Sequence, residues 1–309
     1  MYAPLALLPC LFLSSAAIGA QTTSPAPFPE SLEQSSPATQ PENRSLPDPT
    51  TLMKEVEAHQ RAEEALEKDY IYRQNARLQS LDSHGNIKHI NTTESDIFYV
   101  DGVAVVKRLK KDDKDLTDAE KKKEDESIDK EVKKAHDRKA KAESQGKQTD
   151  SNGHEIITVS RILELGTFSN ERRVFLNGRD TIVLDYAGDP KAKTKDASED
   201  IIRDLIGTVW VDEQDKVLAQ AKGTIVKDFK VGAGLVVDIR KGTNFLARSA
   251  KINDEAWLPS VIDASGKVRA LLFFSFDGNA HIVNSDYRKF KATSTILPGI
   301  NKVEEQSPQ

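Results

Sequence analysis

Apolar positions along this 309-residue chain change their spacing several times, and each change marks an element. Asp48-Pro49 joins a residue able to cap a helix to a proline at the first helical position. Leu52, Val56, His59 and Leu66 then fall near one face, which predicts an amphipathic helix over 49–68. After Asp69 the period becomes two. Residues 70–81, 87–100 and 103–109 read as an antiparallel meander, turned at Asp82–Asn86 and at Asp101-Gly102.

Residues 110–150 interrupt the pattern with a dense mixture of Lys, Asp and Glu. Thr117-Asp118-Ala119-Glu120 matches a capping box, predicting a helix from there to about 145 with a thin apolar stripe of Ile128, Val132 and Ala135. Two readings stand side by side: a charged arm that docks a partner or an anionic surface, and a solvated helix held by i,i+4 ion pairs.

Beyond Gly153 the spacing predicts a short helix over 160–165 stopped by Gly166, a hairpin of 173–176 with 179–186, and a helix over 198–206 ending at Gly207. The remainder reads as strands: 208–212, 217–227, 234–240, 245–252, 257–264, 268–277 and 281–290, with Gly, Asp and Asn at most turns.

Composition changes this picture at the ends. The apolar run 5–18, followed by Ala17-Ile18-Gly19-Ala20, reads as a signal peptide (1–20) cleaved after Gly19 or Ala20, which implies a periplasmic or secreted protein. The run is short for a spanning helix, so membrane association is expected to be peripheral at most. Cys10 sits inside the run behind a proline, unlike a lipidation site, and leaves with the signal. Residues 21–47, rich in Pro, Ser, Thr and Gln, read as a disordered linker, and 298–309 as a disordered tail. The folded domain is expected over 48–297, with 110–150 as a charged helical insertion.

Lys+Arg 44 against Asp+Glu 49 gives a net charge of −5, so no global basic field exists to hold nucleic acid. A single cysteine excludes an intramolecular disulfide, a cysteine-based zinc site and an iron–sulfur cluster. No nucleophile elbow, H-E-x-x-H, P-loop or paired-cysteine motif occurs, and the reading is of a protein without enzymatic activity or cofactor. His59, His84, His89, His136, His154 and His281 are scattered and read as surface residues. Asp212, Glu213 and Asp215 read as a turn, and Gly232-Ala233-Gly234 as a turn or bulge.

The order of elements is familiar. The segment 207–218 (GTVWVDEQDKVL), with Asp254-Glu-Ala-Trp-Leu-Pro259 and Ser285-Asp-Tyr-Arg-Lys-Phe290, resembles outer-membrane lipoprotein-sorting proteins of the LolA-like superfamily. The likeness covers about residues 51–109 and 155–295. It implies an α+β fold in which an incomplete antiparallel β-barrel wraps around short helices and presents an apolar concave face. The resemblance further implies a carrier that shelters a lipid or lipoprotein acyl chain. Segment 110–150 departs from the classical carriers, and no lipid-contact motif is matched by position.

The residues themselves speak to a cavity in one way. Ala270-Leu-Leu-Phe-Phe274 is apolar on both faces of its expected strand, and Leu235-Val236-Val237 repeats the effect. The second face must meet a packed helix, a partner or a ligand. The expected lipid-cavity residues are Trp210, Leu235, Val237, Phe245, Trp257, Leu272 and Phe274, although each tryptophan reads equally well as a core residue. Burying methylenes is worth roughly 0.8 kcal/mol each, so a long acyl chain supplies on the order of 10 kcal/mol before binding costs. The alternative function is a periplasmic regulatory or scaffolding module that binds an envelope protein partner through the charged helix.

Overall fold

Asp48 caps the first helix through its carboxylate, which accepts the backbone N–H of Thr51 at 2.8 Å. The computed structural model describes residues 44–231, 237–270 and 274–289. The expected signal peptide, most of the linker and the tail lie outside the described residues. Arg44, within the expected linker, pairs with Asp180, and Arg173 donates to the carbonyls of Arg44 and Ser45.

The elements run α1 (Pro49–Glu67), β1 (Tyr70–Leu81), β2 (Ile87–Val100), β3 (Val103–Lys111), β4 (Lys114–Asp115), α2 (Asp118–Glu143) and α3 (Val159–Leu165). There follow β5 (Gly166–Leu176), β6 (Arg179–Gly188), α4 (Ala197–Arg203), β7 (Leu205–Asp212), β8 (Leu218–Ile225) and β9 (Phe229–Val231). The last are β10 (Val237–Ile239), β11 (Asn244–Ile252), β12 (Ala256–Ala270) and β13 (Phe274–Lys289). All described pairings are antiparallel, in one open sheet of order β4-β3-β2-β1-β13-β12-β11-β8-β7-β6-β5, with β10 on β12 and β9 on β10. The fold is therefore α+β, as expected, with the helices separate from a single large sheet.

The charged segment forms the predicted helix. Thr117 and Glu120 make both halves of the capping box, at 3.3 and 2.9 Å. Its thin stripe is enough to dock it: Ala135 packs fully buried on Val103 and Val105, flanked by Ile128 and Val132. Arg138 bonds Glu131 at 2.7 Å and Lys139 donates to the Gly102 carbonyl at 3.1 Å.

Three expectations need correction. β5 begins at Gly166, seven residues before the expected start, because an irregularity between Ser169 and Arg172, with Asn170 at φ 56°, breaks the alternation that marks a strand. The fourth helix stops at Arg203: Leu205 is buried and Ile206 exposed, so the chain is already extended, and Gly207 lies within β7. The expected strand 268–277 is divided between β12 and β13, which pair Ala270 with Phe274. Ala270 and Phe274 therefore belong to different strands, so one strand does not run through 268–277, and residues 271–273 lie outside the described residues.

Gly266 and Gly278 explain that last error. They face each other inside the β12–β13 ladder and do not turn the chain. A Cβ at Gly278 would run into the carbonyl of Gln79 on β1, and one at Gly266 into Thr243. Here glycine permits a close backbone approach.

Candidate functional site

One face of the sheet is apolar in register across seven strands. From β6 to β1 a single ladder row reads Leu184, Val209, Ala221, Ala247, Ile262, Ile282 and Ala76. The parallel row two residues away on each strand reads Tyr186, Gly207, Gly223, Phe245, Ala264, Ala280 and Leu78. Successive side chains on a strand point to opposite faces, so the two rows share a face. In the first row alanines stand on the middle strands β8 and β11; in the second, glycines and alanines flank a central Phe245, and large residues stand at the β6 end. The strip marked by these small residues is termed the trough; over Gly223 it is filled by the Phe245 ring and Leu205.

Helices cover this face unequally. At the β6–β7 end, Leu52, Met53 and Val56 of α1 pack on Ile182, Leu184 and Val211. Nearby, Leu165 of α3 and Ile201 and Ile202 of α4 pack with Tyr186, Leu205, Ile225 and Phe229. Further along, Ala76, Ile262 and Ile282 form a buried cluster that contains no helical side chain. Between these regions Ala247 and Ala264 remain partly exposed.

The helical cover is clipped in place by charge. Arg161 of α3 grips Glu199 of α4 through two nitrogens, at 2.8 and 2.7 Å, and donates to the Lys193 carbonyl at 2.7 Å. The Glu199 side chain is 6% exposed. The Arg161 hydrogen bonds hold its carboxyl below the ordinary range despite burial. Beneath them Tyr186 stacks at an angle on Phe168, ring centroids 5.0 Å apart, and burial pushes its hydroxyl pKa up to about 12.

Beyond the two rows, on the β1–β13 side, the same face turns polar. Gln74 and Asn284 are register partners, and Asn284 donates to the Pro259 carbonyl at 3.0 Å. Tyr287 donates to that carbonyl at 2.7 Å, and burial pushes its pKa up to about 12.

The expected cavity residues divide. Val237 and Phe245 both pack against the cluster under α3 and α4, and the structure brings them together at the large-residue end of the trough. Trp210 pairs with Val183 and Gln220 on the other face, with the Lys222 ammonium 5.3 Å over its ring. Trp257 lies in a charged knot. Its indole N–H donates to Asp215 at 2.9 Å, the Arg179 guanidinium stands 5.6 Å over the ring, and its backbone N–H donates to Glu63 of α1 at 2.8 Å. Leu235, Leu272 and the Phe274 side chain lie outside the described residues. The alanines and glycines of the two rows were not anticipated. Only their register joins them, and spacing along the chain does not carry register.

Two solvent-facing hollows lie elsewhere. One, about 230 Å³, is lined by Arg77, Thr92, Glu94, Lys110 and His281 among others. The second, about 480 Å³, is lined by Arg44, Phe175, Arg179, Asp180, Asp212 and Glu213 among others. Among the described residues no group of His, Cys, Asp and Glu is arranged to hold a metal, and no helix is long and apolar enough to cross a membrane.

No family model matches the chain, and no curated protein matches it. Solved structures do. The chain is similar to an outer membrane lipoprotein-sorting protein domain from Vibrio parahaemolyticus, at 12% identity and TM-score 0.36, over 79% of this chain and 95% of that one. It is similar to a LolA superfamily protein from Nitrosomonas europaea, at 11% identity and TM-score 0.26, over 79% and 94%. A further similarity is to a chain of the MucA/MucB complex of Pseudomonas aeruginosa, at 7% identity and TM-score 0.23, over 77% and 99%.

Proposed function

We propose that the protein binds a lipid or lipoprotein acyl chain in the trough, as an exported carrier of the cell envelope. The observation that carries this reading is the pair of apolar rows crossing seven strands, with Ala221, Ala247 and Ala264 beside Phe245 and only partial cover by helix. Alanine and glycine leave width for a methylene chain, and neighbouring Leu, Ile and Phe side chains supply its walls. Each buried methylene contributes roughly 0.8 kcal/mol, so an acyl chain needs no charged anchor to be held. The motif resemblance to lipoprotein-sorting proteins supports the same reading, as does the apolar run at the N-terminus for export.

The test is native mass spectrometry and lipid extraction of the purified protein, followed by titration of the delipidated protein with a fluorescent fatty acid. Co-purifying or saturably bound acyl chain supports the reading. Protein that is lipid-free and indifferent to the probe refutes it.

A second reading, binding of an envelope protein through α2, is favoured by one feature. Lys122, Lys123, Glu126, Asp129, Lys130 and Lys133 are exposed along one docked helix, a surface of dense mixed charge. Reversing Lys122, Lys130 and Lys133 to Glu separates the two. A carrier keeps its lipid, whereas a docking module loses its partner in a pull-down.

A further inference from the structure

The other face of the sheet carries an arginine without a counter-charge. Arg77 lies on β1 between register partners His281 of β13 and Thr92 of β2, and it lines the hollow of about 230 Å³. Its Nε is buried with no hydrogen-bond partner, and among the described residues the guanidinium enters no ion pair. Buried polar atoms are nearly always satisfied, and a charged donor left unpaired costs several times what an exposed one does.

Of the charged neighbours Glu94 is paired with cations, while Asp113, on the same lining, has only a hydroxyl donor among the described residues. Glu94 takes Arg73 and, at 3.1 Å, Lys110. Asp113 accepts the Thr92 hydroxyl at 3.4 Å, and Asp263 holds Nδ1 of His281 at 2.6 Å. What remains is a guanidinium whose Nε is closed to solvent and whose residue lines a solvent-facing hollow, with Asn75 and Thr92 on the same wall. That geometry matches a planar or tetrahedral oxyanion better than any neutral ligand.

We propose that this hollow binds a small oxyanion, a carboxylate or phosphate group, with Arg77 as its counter-charge. Most of its lining lies on the face opposite the trough, Ala76 being common to both. The group could arrive on a free small molecule or on an anionic lipid headgroup, and the test separates these sources.

The Nε–Hε resonance of Arg77 in the full-length protein, assigned by its loss in Arg77→Gln, is followed during titration with sodium phosphate and with sodium acetate at constant ionic strength. A parallel arm uses phosphatidylglycerol vesicles, with phosphatidylcholine vesicles as control. A saturable shift with phosphate or acetate identifies a free oxyanion. A shift with phosphatidylglycerol alone identifies a headgroup. Affinity read by calorimetry with the responding ligand falls about tenfold or more in Arg77→Gln, and Arg77→Lys, which keeps charge but not the fork, falls between. The proposal is overturned if no arm shifts the resonance saturably, or if both variants bind as the unmodified protein does.

Discussion

Trp257 donates its indole N–H to Asp215 across 2.9 Å, and so joins the start of β12 to the turn between β7 and β8. Lys251 at 2.7 Å and Arg179 at 2.8 Å bond the same oxygen. Burial alone would push the Asp215 carboxyl up. The hydrogen bonds from Lys251 and Trp257 and the Arg179 charge outweigh it and hold the carboxyl below its ordinary value. A tryptophan that pattern reading leaves between a cavity wall and the core thus serves as a tie between distant turns.

Trp257→Phe keeps most of the ring and removes the donor. Hydrogen bonds to charged groups are worth about 1.5–3 kcal/mol, so the variant should lose about 2 kcal/mol in urea unfolding, with acyl binding unchanged. A variant that loses acyl binding at unchanged stability would place this ring in the ligand site.

The clip between α3 and α4 makes a prediction with a pH signature. Glu199→Gln leaves Arg161 facing a neutral partner, and breaking such a buried pair costs about 3–5 kcal/mol. The folded-state carboxyl of Glu199 is lowered from an ordinary value of 4.5. Its contribution is therefore full above that value and lost as pH falls through the lowered one. The melting temperatures of the unmodified protein and Glu199→Gln should differ near neutrality and converge in acid. A difference independent of pH contradicts the assignment.

Gly278 is where β13 passes against β1. Gly278→Ala should cost more than about 2 kcal/mol by denaturant midpoint, because the new methyl meets the Gln79 carbonyl, which belongs to backbone that cannot swing away. Gly85→Ala, at an open turn with φ 83° and nothing near its Cβ, should cost only about 1 kcal/mol. Equal losses would show that the approach at Gly278 is not tight.

Pattern reading succeeded where local chemistry decides the outcome. The Asp48 cap, the Thr117–Glu120 box and the period-two alternation of β1 to β3 are each complete within a few residues. It failed where glycine had two meanings. Gly207, Gly266 and Gly278 look like stops and turns, yet each sits inside a ladder because another part of the chain passes close to it. The trough was invisible for a different reason. Ala76, Ala221, Ala247 and Ala264 are unremarkable in their own strands and meet only through pairings that span the chain. The expected strand 268–277 fails because Ala270 and Phe274 lie on two paired strands, a break that the apolar pattern does not mark.

The central claim is tested most directly by filling the trough. Ala247 and Ala264 are partly exposed on the apolar face, so Ala247→Phe and Ala264→Phe extend into the space assigned to the ligand. Delipidated protein titrated with a fluorescent fatty acid should show one saturable site, and each variant should weaken it about tenfold or more, an outcome worth about 1.4 kcal/mol, while melting cooperatively. Unmodified protein that binds no acyl probe, or folded variants that bind it as before, would contradict the account.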